Sequence, residues 1–585
     1  MIRVKLAFLF FLIGFSFVAF RLFDTQVLHH DYFRSLAEAQ QLRANEIPAE
    51  RGKIYSSGGV LVTNEEAYLI FANPQEVEDA GAAAQKLAPL LLEDPRFFSY
   101  NLVPAGTASP KEYLTGRIEE LLAKKERRWV LLARKIPVKV VQNIKEAGVG
   151  GLGFESDPRR FYPEGSLAAS VLGFVAFDEN GKDQGYNGLE GYYDGDLRGK
   201  SGRLVRAYSS DQNPILVGEM SSLEVQNGAD LYLTINRGMQ SIMDQKIEEG
   251  VKRYDAKSGS FVVLESETGR ILAMGNYPRF NPANFNPYVS PSKKKSKYEP
   301  EFRDSSITST YEPGSVMKPI TIASALEVGA LDPSWTFNDT GPLKIGAATI
   351  NTWDGKHWGK QTLSQLLQKS NNIGAAMVAQ ETGAEALRSY FLNFGFGSQL
   401  GIDLEGEEAG LVKRLKDWRA VDLATAGFGQ GIAITPLQMA SAYATIANGG
   451  MVMKPYLVER IADRSGREIK FSPQPIRRVV SKKTTDVVTE LLRAAVEGGE
   501  SVVLRGIKYR VAGKTGTAQI PVGGKYDPNK TNVTFVGFPF KDKSFVMVIR
   551  LEEPTSSTFS ATTVVPLWIE AFEQIAPLMG ILPDK

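Results

Sequence analysis

Three short groups of residues could together form a serine nucleophile with supporting amines and amides. In chain order they are S-V-M-K at 315–318, S-N-N at 370–372 and K-T-G-T at 514–517. A serine three residues before a lysine shares its face of a helix, so a neutral amine on Lys318 could take the hydroxyl proton of Ser315. This requires a lowered lysine pKa, which burial or a second cation would provide. The set predicts acyl transfer through a serine ester.

Ser315 is distinguished from other S-x-x-K serines by its surroundings. Ser290 and Ser292 also precede a lysine by three residues, but they lie in a polar stretch. Ser315 instead follows Glu-Pro-Gly and begins an apolar helical stretch, in which Pro319 is tolerated because a first-turn amide has no intrahelical partner. A lone serine here would be interpreted as an ordinary N-cap. The ordered set favours a nucleophile.

The S-N-N group follows the amphipathic stretch TLSQLLQK, which predicts a turn at the end of a helix. From that turn, Ser370 could relay a proton to a leaving amine, and Asn372 could hydrogen-bond both Lys318 and a substrate amide. Serine and asparagine are also ordinary residues of such turns, so this group by itself would not indicate a site.

The run YRVAGKTGTAQI predicts a strand with glycines on both sides of Lys514 and Thr515. These glycines, Gly516 among them, would let a ligand backbone approach the strand closely. Thr515 and Thr517 could bind a substrate carboxylate while Lys514 adds charge, and the amides of Ser315 and Thr517 are candidates for an oxyanion hole. A phosphate loop is rejected because lysine stands where the G-x-x-x-x-G-K-[ST] pattern requires its first glycine.

Composition limits the possible partners and cofactors. The 585 residues include no cysteine and 3 histidines, which excludes disulfides and a cysteine nucleophile and argues against a multi-histidine metal site. Neither a metal nor a cofactor is predicted. With 68 basic and 66 acidic residues the net charge is +2, so no global field attracts a nucleic acid.

An apolar segment that begins at Leu6 continues past Arg21 to Phe23 and predicts one membrane-spanning helix. As a helix it would rise ~27 Å, near the ~30 Å hydrocarbon thickness. Bulky residues occupy the places where a signal-peptide cleavage site would be expected, which favours an uncleaved anchor. Arg3 and Lys5 favour a cytoplasmic N-terminus, with the rest of the chain outside the cytoplasmic membrane.

The length and patterning of the chain predict several domains. They are a cytoplasmic stub and anchor at 1–24, an elongated α+β module at 25–220, an α/β domain at 221–578 and a tail at 579–585. In the α/β domain, the hairpin pattern GSFVVLESETGRILAMGNY and two C-terminal strand patterns predict an antiparallel sheet. Between these strands lie apolar helical stretches at 316–328, 363–381 and 436–448. The runs at 292–302 and 523–532 are interpreted as solvated loops.

Several longer stretches resemble the class B penicillin-binding proteins, the monofunctional transpeptidases that cross-link peptidoglycan. Besides TYEPGSVMKP, KSNNIG and AGKTGTAQ, they are RGKIYSSGGVLVTN, RRFYPEGSLAASVLGFV, GLEGYYDGDLRGKSG, TGRILAMGNYPRFNPANF and GFGQGIAITPLQMASAYATIANGG. Because they occur in order along almost the whole chain, the resemblance is specific. It implies an anchor, an elongated pedestal and a penicillin-recognising transpeptidase domain.

The resemblance also implies a role for each site residue. Ser315 would be acylated by the penultimate D-alanine of a donor stem peptide, with release of the terminal D-alanine, and Lys318 would be its base. The remaining residues would complete the proton network (Ser370, Asn372, Lys514) or bind the terminal carboxylate, or the β-lactam that mimics it (Thr515, Thr517).

Within the family, TYEPGSVMKPITIASALE and FNPANF favour the division-type over the elongation-type members. The implied partner is a multi-spanning glycan polymerase of the septal machinery. The chain departs from the family at 56–59, where SSGG replaces the usual DRNG, so the usual contacts of that region are not carried over. It also departs at Asn371, where the family often has serine, and there we expect little consequence.

Two other functions share these motifs. Attack of water on the same acyl-enzyme would make the chain a carboxypeptidase or a β-lactamase, although a hydrolase of free antibiotic needs neither an anchor nor a pedestal. A non-catalytic scaffold or β-lactam sensor could keep the fold, but it could also have lost the nucleophile and both lysines, which are present here.

Overall fold

The computed structural model describes residues 1–101, 109–207, 221–285, 302–499 and 501–585. The chain divides into two compact units, residues 1–51 with 198–228, and residues 52–197 with 229–585. The predicted loop at 292–302 and the polar stretch at 209–228 lie mostly outside the described residues.

The first unit contains the predicted spanning segment. The apolar helix Ile2–Phe23 begins four residues before the predicted start, exposes all its side chains and continues as a π-helical turn, Asp24–Leu28. In the described part of the chain, this is the one helix long and apolar enough to cross a membrane. It fits a single-pass anchor. The unit also contains the helix His30–Gln41 and the strands Leu42–Ile47, Gly202–Ala207 and Ser221–Leu223, which pair antiparallel.

The N-terminal part of the second unit is a mixed α and β region. One sheet has the strand order Glu468–Lys470, Val458–Ala462, Asp230–Leu233, Ile54–Ser56, Gly59–Glu65 and Arg159–Phe161. The other strands are Ala67–Ala72, Val130–Pro137, Leu152–Ser156, Phe174–Phe177 and Asp183–Tyr186. The helices are Ala80–Leu91, Phe97–Tyr100, Pro110–Leu122, Val138–Glu146, Ala169–Leu172, Gly188–Tyr192 and Asp194–Leu197.

An antiparallel central sheet organises the rest of the second unit, as the sequence predicts. Its strands are ordered Ile271–Tyr277, Ser258–Glu265, Phe545–Glu552, Lys525–Pro539 and Val511–Val522, which places the strand of the K-T-G-T group at an edge. Because successive strand side chains point to opposite faces, Phe261 belongs to the hydrophobic cluster that contains Trp568, and Val262 belongs to the one that contains Tyr443. Helices cover both faces of the sheet.

The helices of this part include the three predicted helical stretches, one of them with an interruption. They are Arg237–Arg253, Ser305–Thr308, Lys318–Glu327, Leu363–Gln368, Asn372–Thr382, Ala384–Asn393, Ala420–Ala426, Pro436–Ala447, Lys482–Gly498 and Val564–Ile575. Short paired strands lie between them: Thr336–Asp339 with Gly359–Thr362, Leu343–Ile345 with Ala348–Ile350, and Met451–Met453 with Pro475–Arg478. The predicted helical stretch at 363–381 is divided in two by the turn that contains Ser370.

The run at 523–532, predicted to be a solvated loop, is mostly strand. Only Gly523 and Gly524 form the turn of a hairpin between the strands Val511–Val522 and Lys525–Pro539. Both strands extend beyond the central sheet because they pair with each other there. The polar composition reflects exposure of this extension and not the absence of a strand.

Asp244 is expected to make the stability of the protein depend on pH. Burial raises its pKa from 3.8 to about 6; Asp304 adds to the shift, whereas Arg279 and the Ala168 N–H oppose it. The folded state therefore binds a proton more readily than the unfolded state, and stability falls as pH rises from about 4 to about 6. Asp244→Asn should abolish this pH-dependent loss of stability, which is on the order of 3 kcal/mol in the free energy of unfolding.

Urea unfolding of the full-length protein in detergent at pH 4.5 and at pH 7.5 measures this effect. From pH 4.5 to pH 7.5, the free energy of unfolding of Asp244→Asn should rise relative to that of the wild type. A surface control, Asp542→Asn, should follow the wild type at both. An equal wild-type and Asp244→Asn slope with pH would contradict the assignment.

Candidate active site

The nucleophile candidate lies on a clamped turn. Ser315 belongs to the 3₁₀ turn Gly314–Met317, which leads directly into the helix Lys318–Glu327. Gly314 has φ +59° and its N–H donates to the Gly429 carbonyl over 3.0 Å. Below the turn, the buried Tyr443 hydroxyl donates to the Val316 carbonyl over 2.9 Å. The turn therefore holds Ser315 half-buried in a fixed place, as an activated hydroxyl requires.

Lys318 is fully buried and its amine is surrounded by oxygen atoms. It donates to the Ser370 carbonyl, to Asn372 Oδ1 over 2.9 Å and to Ser370 Oγ over 3.3 Å. The carbonyl and amide oxygens can only accept, so a neutral amine would satisfy both with its two hydrogens. Its lone pair would then remain to take a proton. This arrangement suits a general base.

Ser370 joins the two lysines. Its hydroxyl oxygen lies 3.3 Å from Lys318 Nζ and 3.1 Å from Lys514 Nζ, and Lys514 is almost completely buried. Two ammonium groups on one hydroxyl would repel each other in these buried surroundings, so the geometry favours one neutral amine. Ser370 has φ +52°, a left-handed conformation that is costly for a residue with a side chain. This backbone places both its carbonyl and its hydroxyl near Lys318.

The neighbours of Ser370 fix this turn. Asn371 is buried and accepts from the Gly374 N–H over 3.0 Å, which caps the helix Asn372–Thr382. Its Nδ2 donates to the buried Asp339 carboxylate over 2.7 Å, and that carboxylate also lies 3.0 Å from His357 Nδ1. The side chain of Asn371 therefore joins the catalytic turn to a neighbouring strand.

The glycines around Lys514 make room for neighbouring groups of the protein, and the approach of a ligand backbone to Gly516 stays a prediction. A Cβ at Gly516 would lie 2.7 Å from the Pro313 carbonyl, and a Cβ at Gly513 would lie 2.8 Å from the Phe535 ring. The small residues let the edge strand pack against the turn that contains Ser315. Glycine is needed here because the approaching groups are backbone and a buried ring.

A cavity of about 340 Å³ opens between these elements. Of the predicted site residues, Ser315, Ser370, Asn372, Thr515 and Thr517 line it. Lys318 Nζ and Lys514 Nζ contact this wall through Ser370 Oγ. The structure thus brings residues from three distant parts of the chain to one site.

A family comparison agrees with this geometry. Residues 259–567, more than half of the chain, match the penicillin-binding protein transpeptidase domain, and residues 46–233 match the penicillin-binding protein dimerisation domain. The chain belongs to the class B penicillin-binding proteins. The resemblance found in the sequence is confirmed, and so is the predicted class of fold.

Similar proteins include two curated relatives and two solved structures. Stage V sporulation protein D of Bacillus subtilis (strain 168) is 31% identical over 99% of this chain and 86% of its own length. Peptidoglycan D,D-transpeptidase FtsI of Escherichia coli (strain K12) is 28% identical over 98% of this chain and 91% of its own. Penicillin Binding Protein 2X from Streptococcus thermophilus has a TM-score of 0.70 and 24% identity, covering 92% of this chain and 81% of that one. A peptidoglycan synthetase from Bifidobacterium adolescentis has a TM-score of 0.69 and 21% identity, covering 93% and 98%.

In this penicillin-binding protein, several residues that line the cavity were not predicted from the sequence. Trp353 and Phe559 form an edge-to-face pair with ring centroids 5.8 Å apart, and Gln430, Gln519 and Ser560 also line the wall. Gln430 stands in the family-like stretch GFGQGIAITPLQMASAYATIANGG, which could have drawn attention to it. No local pattern marks Ser560, since it enters the site through tertiary contacts alone.

Glu312 connects three segments of the chain near Ser315. Its carboxylate accepts the Gly431 N–H over 2.9 Å and the Tyr526 hydroxyl over 3.0 Å. Burial raises the pKa of Glu312, although both of these donors oppose the shift. The contact ties the hairpin at 523–532 to the turn that contains Ser315, a role that the sequence interpretation of this run as a solvated loop did not predict.

Asn371 is expected to matter more than the sequence suggests. Asn371→Ser should keep a helix cap but remove the donor to Asp339 Oδ2, which costs about 1–3 kcal/mol. Asn371→Ala should cost more because the cap is also lost. Thermal unfolding and the rate of labelling by a fluorescent penicillin measure both effects. A serine variant that matches the wild type in both would instead support the sequence expectation of little consequence.

Proposed function

We propose that this chain is a peptidoglycan D,D-transpeptidase that cross-links stem peptides through an acyl-enzyme on Ser315. The observation that supports it most directly is the position of Ser370 Oγ between Lys318 and Lys514, next to the cavity that Ser315 lines. Such an arrangement both removes a proton from a nucleophile and returns it to a leaving amine.

The proposed reaction has two halves. Ser315 Oγ attacks the carbonyl of the penultimate D-alanine while Lys318 Nζ takes its proton, and the proton passes by Ser370 to the departing D-alanine amine. An acceptor amine then attacks the ester and releases Ser315. Lys514 and the hydroxyls of Thr515 and Thr517 hold the terminal carboxylate.

The amides of Ser315 and Thr517 are proposed to bind the oxyanion. The amide of Ser315 lies in the first turn of a helical segment, where N–H groups have no intrahelical partner. Thr517 lies on the outermost strand of the central sheet. Two backbone donors at such a position stabilise the charge that develops in the transition state.

For the whole protein we propose a cytoplasmic N-terminus, a catalytic domain on the outer side of the membrane, and the predicted domain limits at 24, 220 and 578. Arg3 and Lys5 support this orientation. We also propose a septal role beside a multi-spanning glycan polymerase, which the division-type motifs and the FtsI relative support. Depletion of the protein in its native host should give undivided filaments. Rounded cells would instead indicate a role in side-wall synthesis, and a defect confined to spores would indicate a role in sporulation.

An acyl-donor assay tests the reaction. The full-length protein in detergent is incubated with a thioester analogue of a stem peptide, with and without a D-amino acid as acceptor, and products are separated by mass spectrometry. Aminolysis that exceeds hydrolysis supports the transpeptidase. Hydrolysis alone would indicate a carboxypeptidase, and an unreacted donor would leave a non-catalytic scaffold.

A further inference from the structure

The hydroxyl of Thr517 has a buried partner that no motif predicts. Ser560, just before the C-terminal helix Val564–Ile575, is 1% exposed and lines the cavity beside Thr517. The two hydroxyl oxygens lie 2.8 Å apart, and the Ser560 N–H donates to Thr517 Oγ1 over 3.3 Å. Ser560 Oγ also donates to the Gly516 carbonyl.

Counting hydrogens fixes the direction of these bonds. Ser560 has a single hydroxyl hydrogen, and the Gly516 carbonyl, which can only accept, takes it. The short contact between the two hydroxyls therefore needs the hydrogen of Thr517. This pattern turns the hydroxyl hydrogen of Thr517 toward Ser560.

An anion in the cavity would reverse this pattern. A carboxylate only accepts, so it binds Thr517 when the hydroxyl hydrogen turns toward it. The two hydroxyl oxygens, Thr517 Oγ1 and Ser560 Oγ, are 2.8 Å apart. Once the Thr517 hydrogen has turned away, their lone pairs would repel each other unless Ser560 turns its own hydrogen toward Thr517 Oγ1. The Ser560 N–H keeps Thr517 in place during this change.

We propose that Ser560 is a positioning residue that makes Thr517 a donor for anionic ligands. The proposal rests on the proposed function, in which Thr517 binds the terminal carboxylate. A chain of two hydroxyls polarises the outer one and strengthens its bond to an anion. The hydrogen bond from Thr517 to a neutral ester carbonyl is strengthened less. Ser560 therefore favours binding of a ligand with a free carboxylate over binding of its ester.

The test compares a penicillin with its own methyl ester, which differ only in that carboxylate. Second-order acylation rates are measured by mass spectrometry on the full-length protein in detergent for wild type, Ser560→Ala, Ser560→Thr, Thr517→Val and the Ser560→Ala/Thr517→Val pair. Ser560→Ala should lower the rate with the acid roughly tenfold and leave the ester within twofold. Ser560→Thr, which keeps the hydroxyl, should retain the preference for the acid.

Each other result has a defined meaning. Equal losses with acid and ester would show a structural role and overturn the proposal, as would an acid-to-ester ratio unchanged in Ser560→Ala. The double variant should have the same acid-to-ester rate ratio as Thr517→Val. A lower ratio in the double variant would mean that Ser560 acts independently of Thr517, which would also overturn the proposal. If Thr517→Val kept the wild-type acid-to-ester rate ratio, Thr517 would not bind the carboxylate, and the proposal would be overturned. A wild type acylated by neither compound would refute the proposed function itself.

Discussion

Full-length Ser315→Ala protein is expected to form no covalent adduct with penicillin. The wild type should give a stable penicilloyl group on a peptide that contains Ser315, because its hydroxyl is the proposed nucleophile and supplies the ester oxygen. The substitution should not disturb folding, since backbone groups of the turn bond to the Gly429 carbonyl and the Tyr443 hydroxyl. Intact-protein and peptide mass spectrometry after incubation with penicillin measure the adduct, and acylation should fall below detection.

The control uses a chance copy of the motif. Ser290→Ala removes the serine of another S-x-x-K pattern and should acylate like the wild type. An adduct that persists in Ser315→Ala would place the nucleophile elsewhere. If the wild type forms no lasting adduct, penicillin left intact would indicate a scaffold and penicillin consumed would indicate a β-lactamase.

Lys318→Met should reduce the acylation rate by about 10²–10⁴-fold, the usual contribution of a positioned general base. Methionine fills a similar space without an amine, so the Ser315 hydroxyl would keep its proton. Rapid-mixing measurements with a fluorescent penicillin on the wild type and the variant check this loss of rate.

Stability must be followed in the same variant. Without the amine, the Ser370 carbonyl and Asn372 Oδ1 lose a donor, which costs about 1–3 kcal/mol for the buried carbonyl. Lys318→Arg is the matched control, because arginine keeps N–H donors but does not act as a base near neutral pH. Acylation that stays within tenfold of the wild type in Lys318→Met would exclude Lys318 as the base.

Parts of the structure follow from local sequence. The apolar run around Phe261 and Val262 before a Glu-Thr-Gly turn predicts a hairpin strand, and Pro319 in a first turn fits the start of the helix behind Ser315. These signals are local because side-chain periodicity and helix ends depend on residues only a few positions apart. The ordered motifs identify the family for the same reason, since each is a short run of residues.

Tertiary structure decided the remaining features. The left-handed backbone of Ser370, the packing of Gly516 against Pro313 and the contact of Tyr526 with Glu312 all depend on chain segments far apart in sequence. Ser560 reaches Thr517 across 43 positions. By itself the sequence determined the elements, the motifs and the class of reaction. Which atoms face each other in the cavity was decided by packing of the edge strand, the turns and the loop before the last helix, because no local pattern encodes the distance between separate segments.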